Sequence, residues 1–298
     1  MENYRIITKN DYQCGESPIW DNRKKKFYWC DLITQKVFTL EDDRERTLFG
    51  GKSVGGFAVN KAGGFVCSTL QGIYLWDEQN GFRLIADKFE GEKLACNDSA
   101  ADAAGRFLFG SDYYDSYQEY KLGKLFKMDR DGSITVLDEG IHLSNGIGFS
   151  PDDKILYYAD TGVRKIYAYD YDVEKGEVSG KRVFVDVPDD QGIPDGLTVD
   201  AQGYVWSAQW YGSCVIRYAP DGSVDRILKT PAKQTTSVMF GGDDLCGIYV
   251  TTASKPAWLP VIPKDYDYEN TDSIGGPIYR FDIGIKGKPE YIADIMPF

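Results

Sequence analysis

Six segments of this chain resemble one another, and this repetition limits the possible folds more than any other feature. Each segment runs through small and apolar residues into a turn signal and then into a strand pattern. The segments are residues 16–21, 55–60, 97–102, 145–150, 195–200 and 236–241. A repeat period of about 40–50 residues is typical of β-propellers, in which each repeat forms one blade. The sequence therefore predicts an all-β fold, a six-bladed β-propeller with four-stranded antiparallel blades.

The other strands of each repeat follow turn signals made of Asp, Asn and Gly. Second strands are predicted at residues 27–31, 65–69, 107–111, 156–160, 204–208 and 248–252. In the last unit, residues 290–293 are predicted as the fourth strand, and residues 4–8 as an added outer strand that closes the ring. Length alone would allow two domains, but six equal units without a linker favour one propeller domain over residues 1–298.

The first positions of the six segments carry oxygen-bearing side chains in most repeats. They are Glu16, Gly55, Asn97, Asn145, Asp195 and Thr236. If the segments are equivalent strands around one axis, these side chains converge at one end of that axis. Carboxylate and amide oxygens favour hard cations, so Ca²⁺, Mg²⁺ and Mn²⁺ are the natural candidates for one divalent ion, and Zn²⁺ or Fe(II) can also use carboxylates. Asn-Gly and Asp-Gly also begin strands simply as turns, but convergence favours a metal site.

The acidic composition argues against several classes of partner. The formal net charge is -12, whereas nucleic acids and anionic membranes are bound by basic surfaces, so we expect neither partner. The six cysteines include no C-x-x-C pair, and no export signal or spanning apolar run is evident, so we expect a cytoplasmic monomer or small homo-oligomer. His142 is the only histidine, which excludes any site with two His ligands.

Two connections between second and third strands are longer than the rest, at residues 112–123 and 253–276. In an antiparallel blade, this connection lies at the same end as the start of the first strand. Long loops in compact domains are usually functional or disordered. We expect these aromatic-rich loops to form walls or a lid over the candidate site; the alternative is surface decoration or an oligomer contact.

Several short motifs along nearly the whole chain resemble the SMP-30/gluconolactonase family, which includes regucalcin and the sugar lactonases. They lie at residues 15–20, 97–98, 102–106, 144–146, 193–196 and 235–242. The resemblance implies a six-bladed propeller, in agreement with the independent count of repeats. It also implies that Glu16, Asn145 and Asp195 bind the metal, and that Asn97 lies at the metal or contacts substrate.

The resemblance implies hydrolysis of a lactone, typically of a sugar acid, to the open acid. The metal would polarise the ring carbonyl, with Asp195 as the favoured general base and metal-activated water as the alternative. We expect substrate contacts from Asn97, Asp98, Tyr113 and Glu119, the last as the match to the family's loop acid.

The chain departs from the family at Ala95, where the family usually has an Arg that holds substrate hydroxyls or carboxylate. Because that donor is missing, the identity of the substrate stays open between a different sugar lactone and a less polar lactone. Two other functions also stay open: another metal-dependent esterase or organophosphate-type hydrolase, and a non-catalytic calcium-binding propeller, because fold alone does not fix function.

Overall fold

Six four-stranded antiparallel sheets surround one central axis, as the repeats predict. The structure is a computed structural model that describes residues 3–111, 121–255 and 275–296. Within these residues, the only helical elements are two 3-10 turns, η1 (Thr161–Val163) and η2 (Asp189–Gln191), and no helix is both long and apolar enough to cross a bilayer. The all-β, six-bladed prediction is confirmed.

Five blades are built from consecutive strands, ordered from the axis outward. Blade 1 contains β2 (Gly15–Asp21), β3 (Lys26–Asp31), β4 (Lys36–Glu41) and β5 (Arg44–Gly50). Blade 2 contains β6 (Val54–Val59), β7 (Phe65–Thr69), β8 (Gly72–Asp77) and β9 (Gly81–Ala86). A two-stranded hairpin, β10 (Lys88–Phe89) and β11 (Glu92–Lys93), precedes blade 3.

The next three blades follow the same order. Blade 3 contains β12 (Cys96–Ala101), β13 (Phe107–Ser111), β14 (Gly123–Met128) and β15 (Ile134–Ile141). Blade 4 contains β16 (Ser144–Phe149), β17 (Ile155–Asp160), β18 (Lys165–Asp172) and β19 (Glu177–Asp186). Blade 5 contains β20 (Ile193–Val199), β21 (Val205–Trp210), β22 (Cys214–Tyr218) and β23 (Val224–Lys229).

The sixth blade joins the two ends of the chain. Its inner strands are β24 (Thr235–Gly241), β25 (Gly247–Thr252) and β26 (Tyr279–Asp282), and its outer strand is β1 (Tyr4–Ile6). The N-terminal strand pairs directly with β26, which confirms that it closes the ring. The prediction of a strand at residues 290–293 within this blade is wrong.

The C-terminal segment instead crosses to blade 2, because its apolar residues are buried there. Ala293 forms a bridge with Asn60, and Ala293 and Ile295 pack in the core between blades 2 and 3. The Asn60 amide nitrogen donates to the Ile295 carbonyl at 2.9 Å, and the Ile295 N–H donates to the Asn60 side-chain oxygen at 3.0 Å. This segment therefore covers the end of the axis opposite the starts of the inner strands.

Aromatic side chains fill the spaces between neighbouring blades. At the closure seam, Phe27 and Trp29 of blade 1 lie in one buried cluster with Tyr249 and Ile278 of the last blade. Phe27 stacks on Tyr249 with ring centroids 4.4 Å apart. Because each seam is packed in this way, the inner strands are held at fixed positions around the axis.

We predict that Asn60→Ala lowers the free energy of unfolding by roughly 2–4 kcal/mol, since it leaves the buried N–H and C=O of Ile295 without partners. Chemical denaturation measures the change. Asn80→Ala is the control, because Asn80 bonds Asp77 in an exposed turn, and it should change stability by less than about 0.5 kcal/mol. Equal effects of the two substitutions would contradict this anchoring role.

Candidate active site

A register shift interrupts every inner strand near its start. The shifts fall between Glu16 and Ile19, Val54 and Gly56, Cys96 and Ser99, Ser144 and Ile147, Pro194 and Leu197, and Thr235 and Ser237. Such irregularities bend a strand and re-aim its side chains, and they are common beside active sites. Five of the six positions that begin the repeated segments lie inside these shifts, and Glu16 lies at the edge of its own, so their common location follows from a common backbone feature.

Two of the polar side chains contact each other directly across the boundary between blades 3 and 4. Asn97 Nδ2 donates to Asn145 Oδ1 at 3.0 Å and to the Ser144 carbonyl at 2.8 Å. Asn145 Nδ2 donates to Thr161 Oγ1 at 2.8 Å. Both amide nitrogens are therefore bonded to the protein. The amide oxygens, each with two lone pairs, retain capacity for a ligand.

Close approach of the inner strands leaves no room for side chains at two positions, one in blade 2 and one in blade 4. A Cβ atom at Gly55 would lie 2.7 Å from Asn97 Oδ1, and one at Gly146 would lie 2.7 Å from the Asp195 carbonyl oxygen. The lack of a side chain at Gly55, one of the six convergent positions, lets the Asn97 oxygen occupy that space.

The two carboxylates of the predicted metal site are both buried, with exposed fractions of 9% for Glu16 and 4% for Asp195. Burial, followed by the negative charges of Asp195 and Asp98, raises the pKa of Glu16 well above its usual range. Burial and the charge of Asp98 likewise raise the pKa of Asp195. Because these groups act on one another through their charges, the structure brings Glu16, Asp98 and Asp195 into one electrostatic cluster.

Asp98 lies inside the ring, where it lines an enclosed cavity of about 50 Å³ together with Ser17, Leu197, Met239 and Glu290. Such a cavity has room for one or a few waters. Burial raises the pKa of Asp98 to about 7, partly opposed by the Ser99 N–H that donates to its Oδ1 at 2.8 Å. The sequence predicts a substrate contact for Asp98, and the structure places it beside the buried carboxylates.

The donor set of this cluster fits a divalent cation. In the described ranges, no Lys or Arg forms an ion pair with Glu16, Asp98 or Asp195, so this part of the chain supplies no counter-charge to their buried negative charge. No three Asp, Glu, His or Cys side chains of the described residues are grouped closely enough to hold an ion. Amide oxygens of Asn145 and Asn97 are therefore needed beside the Glu16 and Asp195 carboxylates, and an all-oxygen set of this kind suits hard cations.

The remaining predicted positions have other surroundings. Thr236 Oγ1 donates to the Gly15 carbonyl at 2.5 Å and lies within hydrogen-bond distance of Thr251 Oγ1, at 2.8 Å, so it joins the last blade to the first. His142 Nδ1 lies 3.2 Å from Asp160 Oδ2, and the same carboxylate accepts the His142 backbone N–H. Tyr113, Glu119 and most of both long loops lie outside the described residues.

Thr161 is a site residue that the sequence did not indicate. Its hydroxyl accepts from Asn145 and donates to the Pro194 carbonyl at 2.7 Å. The corresponding positions after the second strands of other blades are Leu32, Leu70, Tyr211 and Ala253. Because the repeat does not preserve a hydroxyl at this position, comparison of the repeats could not have identified it.

We predict that Asp98→Asn stabilises the metal-free protein at pH 8 but not at pH 4. The folded-state pKa of about 7 lies above the unfolded value near 4, so the folded state binds an extra proton between these values. The contribution of Asp98 to stability is therefore present at low pH and is lost as pH rises through 7. The amide mimics the protonated acid, and the melting temperature should rise by about 2–6 °C at pH 8.

The control is Asp221→Asn, because hydrogen bonds from Ser223 lower the pKa of this exposed carboxylate. Asp221→Asn should not raise the melting temperature at pH 8. An increase for Asp98→Asn that is the same at pH 4 and pH 8 would show that the effect is not electrostatic.

Comparison with known proteins gives a consistent assignment. A family model described as SMP-30/Gluconolactonase/LRE-like region matches residues 14–254. The chain is 32% identical to a pentonolactonase of Haloferax volcanii over 291 residues, 97% of each chain. It is 32% identical to a 6-deoxy-6-sulfogluconolactonase of Pseudomonas putida over 257 residues, 85% of this chain and 87% of that relative.

A solved structure supports the same relationship. A protein from Agrobacterium tumefaciens described as a calcium-binding protein, regucalcin, superposes with a TM-score of 0.85 at 25% identity, covering 98% of this chain and 97% of that chain. The family prediction drawn from the sequence motifs is thus confirmed, and the chain belongs to the SMP-30/gluconolactonase/LRE-like family.

Proposed function

We propose that the protein is a metal-dependent lactonase, a carboxylic ester hydrolase that opens a sugar-acid (aldono) lactone to the free acid. One observation carries this proposal: two buried carboxylates, with no ion pair to a Lys or Arg of the described residues, lie with two oriented amides at the start of the inner strands. Relatives named pentonolactonase and sulfogluconolactonase support lactones as the substrate class.

Glu16, Asn145 and Asp195 would hold the metal, and Asn97 would supply an oxygen to the metal or contact the substrate. A bound dication supplies electrophilic stabilisation of the oxyanion that develops on the lactone carbonyl. The all-oxygen donor set favours Ca²⁺, Mg²⁺ or Mn²⁺ over Zn²⁺ and Fe(II). Calcium is further supported by the relative described as a calcium-binding regucalcin.

Asp195 is the proposed general base. Burial and the nearby charge of Asp98 raise its pKa, which offsets the loss of basicity that a carboxylate suffers beside a cation. Asp195 would take a proton from the attacking water and return it to the ring oxygen as the acyl C–O bond breaks. The products are the open hydroxy acid and a regenerated carboxylate, so protons balance over the cycle.

Ala95 is the position that leaves the choice of lactone open. It lies half-buried two residues before Asn97, and its methyl group offers no hydrogen-bond donor to a substrate. We propose that the substrate is held mainly by the metal and the Asn97 amide at this side of the site. A lactone without an anionic substituent fits this acidic and donor-poor environment best.

We predict that metal-stripped protein does not hydrolyse lactones and that a divalent ion restores turnover. The assay is a panel of pentonolactones and hexonolactones with Ca²⁺, Mg²⁺, Mn²⁺, Zn²⁺ and Fe(II) added back in turn. A pH indicator follows acid release, corrected for spontaneous ring opening. Turnover of aryl esters without turnover of any lactone would favour an esterase on the same scaffold. Cation binding without turnover of any substrate would favour a binding role.

We predict that Asp195→Asn lowers kcat by at least about 100-fold at saturating metal, the usual range for loss of a general base. The melting temperature of the metal-free protein should not fall, because the substitution removes a buried charge. Asp186→Asn is the control, since Asp186 forms an exposed ion pair with Lys165, and its kcat should equal that of the wild type. Full turnover by Asp195→Asn would remove Asp195 from the mechanism.

A further inference from the structure

Thr161 links two strands that each carry a proposed metal ligand. It is the first residue of η1, directly after β17, and its exposed fraction is 1%. Its Oγ1 accepts a hydrogen bond from Asn145 Nδ2 at 2.8 Å and donates one to the Pro194 carbonyl at 2.7 Å. Asn145 lies at the start of β16 and Pro194 directly precedes Asp195 in β20. A single hydroxyl therefore connects the Asn145 side chain to the backbone that carries Asp195.

The direction of these hydrogen bonds fixes the orientation of the Asn145 amide. A hydroxyl has one proton, and Thr161 donates it to the Pro194 carbonyl, which can only accept. Thr161 must therefore accept from Asn145, so the amide nitrogen faces Thr161 and Oδ1 faces Asn97, whose Nδ2 donates to it. The chain of donors runs in one direction from Asn97 through Asn145 and Thr161 to Pro194, across blades 3, 4 and 5.

Thr161 is itself held in place by backbone contacts. Its N–H donates to the Leu143 carbonyl at 2.9 Å, and its carbonyl accepts from the Arg164 N–H at 3.1 Å. The preceding residue, Asp160, accepts the Leu143 N–H at 2.9 Å. These hydrogen bonds hold the backbone of Thr161 against the connection into β16, so the fold sets the position from which its hydroxyl acts.

We propose that Thr161 is a positioning residue of the metal site, which presents the Asn145 oxygen to the ion and sets the position of the Asp195 strand relative to it. This inference rests on the proposed metal-dependent function. Partners that orient a metal ligand typically change metal affinity by 10–100-fold when they are removed. Thr161 has such a role here because its hydroxyl bonds the Asn145 side chain directly. The same hydroxyl bonds the backbone carbonyl of Pro194, the residue before Asp195.

The experiment is calorimetric titration of metal-stripped protein with Ca²⁺ and with Mn²⁺. Thr161→Val keeps the shape of the side chain and removes the hydroxyl, and it should weaken binding by 10–100-fold. Thr161→Ser keeps the hydroxyl and should bind like the wild type. Thr39→Val is the matched control, because Thr39 is equally buried at 1% and donates only to the Phe27 carbonyl, within blade 1.

Weaker binding by Thr161→Val, with Thr161→Ser and Thr39→Val unchanged, supports the proposal. Wild-type affinity in Thr161→Val overturns it while leaving the proposed metal dependence intact. Equal losses in Thr161→Val and Thr39→Val also overturn it, since they would reflect general destabilisation. If the wild type binds neither ion, the metal site and this inference fail together. Thr161→Ala, read in the same way, replaces Thr161→Val if the valine variant does not fold.

Discussion

The close approach of six inner strands around one axis is the constraint on which the candidate site depends. Each strand enters this ring through a register shift, and Gly55 of blade 2 and Gly146 of blade 4 have no room for a Cβ atom. This close approach requires small residues at Gly55 and Gly146. It also brings together the longer polar side chains of other blades. The site is thus a product of ring closure, which the N-terminal strand completes by pairing with β26 in the last blade.

Burial of negative charge is the second physical feature of the site, and it opposes stability. Three carboxylates lie close enough to influence one another, and burial raises the pKa of each. Without a counter-ion, such a cluster favours protonation, which lowers the charge that the fold must hold. A bound dication would reverse that balance. In the proposed metal site, the stability that the metal-free cluster gives up would be the basis of affinity for the ion.

Much of this arrangement could be predicted from repetition alone. Because Glu16, Asn97, Asn145 and Asp195 occupy equivalent positions in units of one period, their convergence follows once the units form a closed ring. The prediction of a strand at residues 290–293 was wrong. The apolar side chains of this segment pack in a core between two other blades, and a local sequence pattern cannot show that packing. Thr161 was missed for a related reason. Its role arises from contacts across blades 4 and 5, and no periodic signal encodes them.

Proton release on metal binding is the measurement that decides whether these buried carboxylates, whose pKa values burial raises, form a divalent-cation site. Calorimetric titration at pH 7 in buffers of different ionisation enthalpy counts the protons displaced. We expect release of protons at pH 7, with a number that falls as pH rises and the carboxylates ionise on their own. Binding whose heat does not depend on the buffer, or no binding at all, would contradict it.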